Sequence, residues 1–166
     1  MVLLLREPVA RAVSSWRYYC RACSDGFPCD RTSRSSCPNI GLLEFWDTMP
    51  QNPYVNRFVP ARGSVLDAAA LDELTATAVD AVKRSVANNA TLVLFTENLD
   101  CATSSLSAFI GGAKVGATQH AKTHTQQGSG ENSPTRADID ALGHILRYDI
   151  AFYRALFAAY GRDCGA

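Results

Sequence analysis

Leu3-Leu4-Leu5-Arg6-Glu7-Pro8-Val9-Ala10-Arg11-Ala12-Val13-Ser14-Ser15-Trp16 is the stretch that decides the fold. Val2 to Leu5 is a short, unbroken apolar run, the pattern of a parallel strand buried on both faces. Glu7-Pro8 then opens a helix, because proline's missing N–H has no partner at a first helical position anyway. Val9, Val13, Trp16 and Cys20 follow at i, i+4, i+7 and i+11, which is one helical face. The unit is strand, tight turn, helix. Ligands of open α/β sheets gather beyond the carboxyl ends of the strands, and Arg6 stands at that end. Ser14 lies roughly 9–12 Å along the helix axis from it at about 1.5 Å per residue. A guanidinium fork and a serine hydroxyl together suit a phosphate.

The rest of the chain alternates in the same way. Residues 24–38 have no period and read as an inserted, Cys-rich loop at about 20–38. Ile40 to Met49 is a short helix, and Pro50 to Pro60, with its three prolines, is irregular. Leu71, Leu74, Ala78, Val82 and Val86 line one side of a helix over Leu66 to Val86, which Asn88-Asn89 ends. Thr91 to Thr96 is a second buried strand. Asp100 caps the next helix, whose apolar residues are Leu106, Phe109 and Ile110, and Gly111-Gly112 stops it. Residues 113–134 are a polar loop. Thr135 starts one last helix, with Asp138 completing a capping box. Its buried side is Ile139, Leu142, Ile145, Leu146, Ile150, Tyr153, Leu156, Phe157 and Tyr160. This is an α/β layout with a parallel sheet in a single domain over 1–166. Two strands are too few for a stable open sheet, so further strands either escape the pattern or lie in a missing N-terminal segment.

Composition narrows the function. The chain has 166 residues, 47% of them hydrophobic, enough for a core. Sixteen basic residues balance sixteen acidic ones, which argues against a general nucleic-acid or anionic-membrane binder. No apolar run approaches the roughly 18 residues that cross a bilayer, and Met1 to Leu5 is too short for a signal peptide's apolar region. The chain thus carries no address of its own. Cys20, Cys23, Cys29 and Cys37 cluster, with Cys101 and Cys164 apart. The clustered four suit disulfides in an oxidising compartment; a zinc site and free thiols are the competing readings.

The opening stretch resembles the 3′-phosphate-binding segment of sulfotransferases, where a strand ends in Arg-(Asp/Glu/Asn)-Pro and a serine follows eight residues after the arginine. Three further pieces follow in the family's order. Asn56-Arg57-Phe58-Val59 resembles the Asn/Arg-Phe-Leu stretch of Golgi carbohydrate sulfotransferases. Thr96-Glu97-Asn98-Leu99-Asp100, running on to Leu106, looks like their Thr-Glu-x-(Phe/Leu)-Asp segment. Asp149-Ile150-Ala151-Phe152-Tyr153 looks like their closing helix. By these motifs the chain resembles the family-2, uronosyl 2-O-like enzymes more than the cytosolic small-molecule enzymes.

The resemblance implies a P-loop-like three-layer architecture, incomplete at the N-terminus. It implies transfer of a sulfuryl group from 3′-phosphoadenosine 5′-phosphosulfate (PAPS) to a hydroxyl of a glycan or proteoglycan in the Golgi lumen. No metal, nucleic acid or membrane contact by this segment is implied. Arg6 and Ser14 are the expected donor-binding residues. The family's phosphosulfate loop and catalytic base (His or Glu) precede the 3′-phosphate segment, and only five residues precede Arg6 here. The catalytic residues are therefore unknown, and His120, His124 and His144 are not assigned. A non-catalytic interaction or structural domain with a degenerate nucleotide site is the alternative.

Each singled-out residue also has a plainer reading. Arg6 and Ser14 could be a surface charge and an ordinary helix serine. Arg11 and Arg17 read as solvated helix-face charges. Arg57 is either a structural ion-pair former or a lining of the cleft. Glu97 reads as a capping or ion-pairing group, and Asp149 with Tyr153, four residues apart on one face, as a packing and hydrogen-bond pair. The loop that carries Lys114 and Lys122 either closes over a nucleotide or is plain connection. The last helix's aromatics read as core.

Overall fold

In the computed structural model, residues 1–22, 41–47, 49, 52–58, 68–112 and 134–161 are described. Strands β1 (Val2–Leu5) and β2 (Leu92–Phe95) pair in parallel, in register from Val2 opposite Leu92 to Leu5 opposite Phe95. Between them run α1 (Pro8–Ala22), α2 (Leu42–Asp47), α3 (Pro53–Phe58) and α4 (Ala68–Ala87). After β2 come a 3-10 turn (Thr96–Asn98), α5 (Leu99–Phe109), α6 (Arg136–Ile145) and α7 (Arg147–Tyr160). The described chain is mostly helical around a small parallel sheet, an α/β arrangement. None of its helices is long and apolar enough to cross a membrane.

Parity along the strands sets which side chains form the core. Leu3, Leu5, Val93 and Phe95 face α4 and α7, with Leu5 fully buried. Val82, Phe152 and Leu156 belong to the same cluster. Leu94 is buried on the other face of β2, the strand against which α5 packs. Its neighbours across the ladder are not covered: Val2 is 45% and Leu4 51% exposed. A second cluster joins α1, α2 and α6 through Ala12, Trp16, Phe45, Trp46, Leu142 and Leu146.

One helical run serves both clusters because it breaks. The sequence reads residues 135–160 as a single helix, but Leu146, at φ −94 and ψ 15, separates α6 from α7. Leu142 and Leu146 then pack on α1 and α2, while Tyr148, Phe152, Tyr153 and Leu156 pack toward the sheet. An unbroken 3.6-residue period cannot turn its apolar stripe from one cluster to the other.

Most expected boundaries shift by one or two residues, and the Ile40 to Met49 helix contracts to Leu42–Asp47. Three expectations need larger correction. Pro50 to Pro60 is not wholly irregular, since α3 lies inside it. The α5 N-cap is Asn98, which makes no side-chain cap bond, so Asp100 is inside the first turn. The Cys-rich loop begins later than about 20, because α1 continues to Ala22; residues 23–40 lie outside the described chain.

Two helix ends follow their sequence signals. Gly111 and Gly112 both adopt φ +82. Their amides donate to Ala108 O at 3.3 Å and Ser107 O at 2.8 Å, the double bond that closes a helix through a left-handed residue. At α6, the Thr135 hydroxyl accepts from the Asp138 amide at 3.1 Å, and the Asp138 carboxylate accepts from the Thr135 amide at 2.8 Å. These Thr135 bonds hold the Asp138 carboxyl below its ordinary 3.8.

Two outcomes follow. Leu5→Ala, which empties a fully buried site, lowers stability by about 2–5 kcal/mol in urea denaturation, whereas Leu4→Ala changes it by about 0.5 kcal/mol or less. The Asp138 carboxyl has a depressed folded pKa, so its contribution is complete above 3.8 and is lost as pH falls through the lower folded value. The stability gap between wild type and Asp138→Ala therefore closes on acidification, measured as the difference between two urea midpoints across the acid range.

Candidate functional site

The sheet register builds the site. With Leu5 opposite Phe95, the two chains leave the sheet side by side, as Arg6-Glu7-Pro8 and Thr96-Glu97-Asn98. Glu97 prolongs the ladder with its side chain: its Oε1 accepts from the Glu7 amide at 2.8 Å. Glu7 in turn caps α1, its Oε2 accepting from the Ala10 amide at 2.6 Å. A carboxylate at a helix N-terminus answers both the orphan amide and the helix dipole. The Tyr153 phenol lies near the Glu97 carboxylate. Burial pushes that phenol's pKa up, and the carboxylates of Glu97 and Glu7 add to the rise. The Tyr153 ring meets Phe95 edge-on at 5.6 Å.

Beside this turn lies a buried exchange between two helix starts. Asp149 is fully buried in the first turn of α7. Its carboxylate accepts from the Tyr54 amide at 3.0 Å and the Val55 amide at 3.0 Å, the first-turn donors of α3. Asn52, which precedes α3 at φ +46, returns the favour: its Oδ1 accepts from the Asp149 amide at 3.3 Å. Arg11 of α1 lies 3.4 Å from the same carboxylate and stacks 4.3 Å from the Tyr54 ring centroid. Burial raises the Asp149 carboxyl pKa, and the Val55 and Tyr54 amides and the Arg11 charge oppose it.

Two sequence readings are corrected here. Asp149 and Tyr153 are not each other's partners; the first caps α3 and the second packs its ring against Phe95 near Glu97. Arg11 is not a solvated charge, for its side chain is 26% exposed and paired. Glu97 does act as a capping group, toward the start of α1. Arg17 and Arg57 are exposed, as is His144 on α6. Phe152 and Tyr153 are core. Lys114, Lys122, His120 and His124 lie outside the described residues, as do Cys23, Cys29, Cys37 and Cys164.

Arg6 and Ser14 belong to the same strand–turn–helix unit. Arg6 is the first residue beyond β1 and is exposed. Among the described residues no ion pair holds its guanidinium. Ser14 is half-buried on the second turn of α1, on the flank away from Ala12 and Trp16 and one turn on from Arg11. The described hydrogen bonds do not join the two side chains. Tyr54 and Asn52 escaped the sequence reading; Asn52-Pro53, a cap residue before a first-turn proline, was the available signal. A cavity of about 290 Å³ lies elsewhere, on the free edge of β2, lined by Val86, Phe95, Ala102 and Tyr160. No group of three or more His, Cys, Asp or Glu gathers as a metal site among the described residues.

No family model matches this chain, and neither a curated protein nor a solved structure does.

Removing the Asp149 carboxylate leaves two α3 amides and Arg11 without their acceptor. Asp149→Ala therefore costs about 3–5 kcal/mol, the usual penalty for breaking a buried charged pair on one side. Asp149→Asn, which keeps one acceptor oxygen, falls between that variant and wild type in the same urea titration.

Proposed function

We propose that this chain is part of a PAPS-dependent carbohydrate sulfotransferase and that Arg6 and Ser14 take the donor's 3′-phosphate. One observation supports the reading above the others. Arg6 projects from the carboxyl end of a parallel strand, exposed, beside carboxylates that already have partners. Ligands of parallel α/β sheets bind at this edge, and a guanidinium is the side chain best matched to phosphate. Glu7 fills the Ala10 amide at the α1 N-terminus, so the helix end is not itself the anion site. The grip falls to the Arg6 guanidinium, with the Ser14 hydroxyl on the outer flank of α1.

When bound, PAPS supplies a sulfuryl group, which passes to an acceptor hydroxyl while 3′-phosphoadenosine 5′-phosphate departs. The residues of this chain bind and orient one end of that donor. Arg6 neutralises charge on the 3′-phosphate and Ser14 donates a hydroxyl hydrogen bond. On this reading the acceptor is a glycan or proteoglycan of the Golgi lumen, and the sheet is the centre of the sulfotransferase three-layer architecture. Glu97 is exposed but already accepts from the Glu7 amide, which suits it to holding the turn and leaves it a poor base. No described residue is assigned as the base.

The test is calorimetric titration with 3′-phosphoadenosine 5′-phosphate. A charge-assisted contact is worth about 1.5–3 kcal/mol, so Arg6→Ala weakens binding roughly tenfold to a hundredfold. Ser14→Ala weakens it less. Unchanged affinity in both variants removes these residues from the site.

A further inference from the structure

We propose that Tyr54 is a positioning residue for the anion-binding Arg6, its hydroxyl serving as a one-atom substitute for a neighbouring strand. The Leu92 amide donates to Met1 O at 2.9 Å, which fixes the ladder's parity. Leu3 and Leu5 turn their backbone groups toward β2, while Val2, Leu4 and Arg6 turn theirs outward. At Arg6 that outward pair meets a single phenol. The Tyr54 hydroxyl accepts from the Arg6 amide at 3.1 Å and donates to the Arg6 carbonyl at 3.0 Å. The next amide, Glu7, is taken from the β2 side by Glu97 at 2.8 Å. Two consecutive peptide groups are thus gripped from opposite sides, and the direction of the Arg6 side chain follows from the backbone they fix.

The clamp is itself anchored. The Tyr54 amide bonds to Asp149, its ring lies under the Arg11 guanidinium, and Phe152 packs beside it at 6.3 Å. The hydroxyl therefore arrives at Arg6 from a place set by the buried junction of α1, α3 and α7. Without it, the Arg6 backbone would have to be ordered when the ligand binds, and binding would bear that entropy.

The inference rests on the reading of Arg6 as the 3′-phosphate ligand, and the experiment separates the two. Tyr54→Phe keeps the ring and its stacking and removes only the hydroxyl. Its affinity for 3′-phosphoadenosine 5′-phosphate falls by about fivefold to thirtyfold, the factor that corresponds to one residue's backbone freedom. Its affinity for adenosine 5′-monophosphate, which lacks the 3′-phosphate, is unchanged. In an Arg6→Ala background the same substitution adds nothing, because the route through Arg6 is already cut. Tyr148→Phe, which removes a hydroxyl bonded to Ala68 O instead, leaves both affinities alone.

If Arg6→Ala weakens binding of the bisphosphate and Tyr54→Phe does not, the positioning role is wrong and the donor site stands. If Arg6→Ala leaves it unchanged, the donor reading fails and this inference fails with it. Hydrogen exchange in the unsubstituted protein needs no ligand: the Arg6 amide is protected although the residue is exposed. Exchange at the rate of a free amide overturns the clamp by itself.

Discussion

The described structure depends on one fully buried carboxylate. Asp149 could stabilise its surroundings only if every lone pair it brings into the interior finds a donor, and it finds them on α1 and α3, two elements distant in sequence. What it satisfies matters as much. A helix as short as α3, Pro53–Phe58, has first-turn amides without internal partners and too few internal bonds to stand alone. Asp149 supplies the acceptor, and Asn52 answers at the start of α7. Each helix start caps the other, so neither forms well without the other in place.

That exchange joins the two apolar clusters. One lies under the sheet and the other between α1, α2 and α6, and the break at Leu146 lets neighbouring turns serve each. Asp149 follows the break by three residues, where the run changes allegiance. Arg11 reaches it from α1, the helix that carries Ser14 and begins at the Arg6 turn. The geometry at the sheet's carboxyl end is therefore inherited from the interior: β1 delivers Arg6, α3 delivers the Tyr54 hydroxyl, and β2 delivers Glu97.

Local sequence made the elements legible and left their partnerships hidden. The Leu3 to Trp16 stretch carries an apolar run, a turn and a first-position proline, so the strand, helix and parallel sheet could be read from it. Thr135 with Asp138, and Gly111-Gly112, are contained in a few residues and were read for the same reason. The α6–α7 break was not, because Leu146 is an apolar residue in phase with its neighbours and only two separate cores demand the bend. Asp149 and Tyr153 sit one turn apart and look like a pair; burial sent each to a partner on another element. Arg6 and Ser14 share one local strand–turn–helix unit, so their spacing could be read from the sequence, whereas the Tyr54 contact spans α3 to β1 and has no local signature.

On the proposed donor reading, the charges around Arg6 would bear on the side from which an anion comes. Glu7 follows Arg6 in the chain and Glu97 bonds the Glu7 amide, while Arg11 and Asp149 offset each other. A dianion arriving over Glu7 and Glu97 meets repulsion of the order of the attraction it seeks, since charges about 4 Å apart in water interact by about 1 kcal/mol whichever the sign. Hydrogen bonding reorients neither charge away; it fixes both carboxylates on the amides of Ala10 and Glu7 and keeps them from swinging onto Arg6 as competing ion-pair partners. On the proposed donor reading, the two acidic side chains would serve the site by holding the turn still.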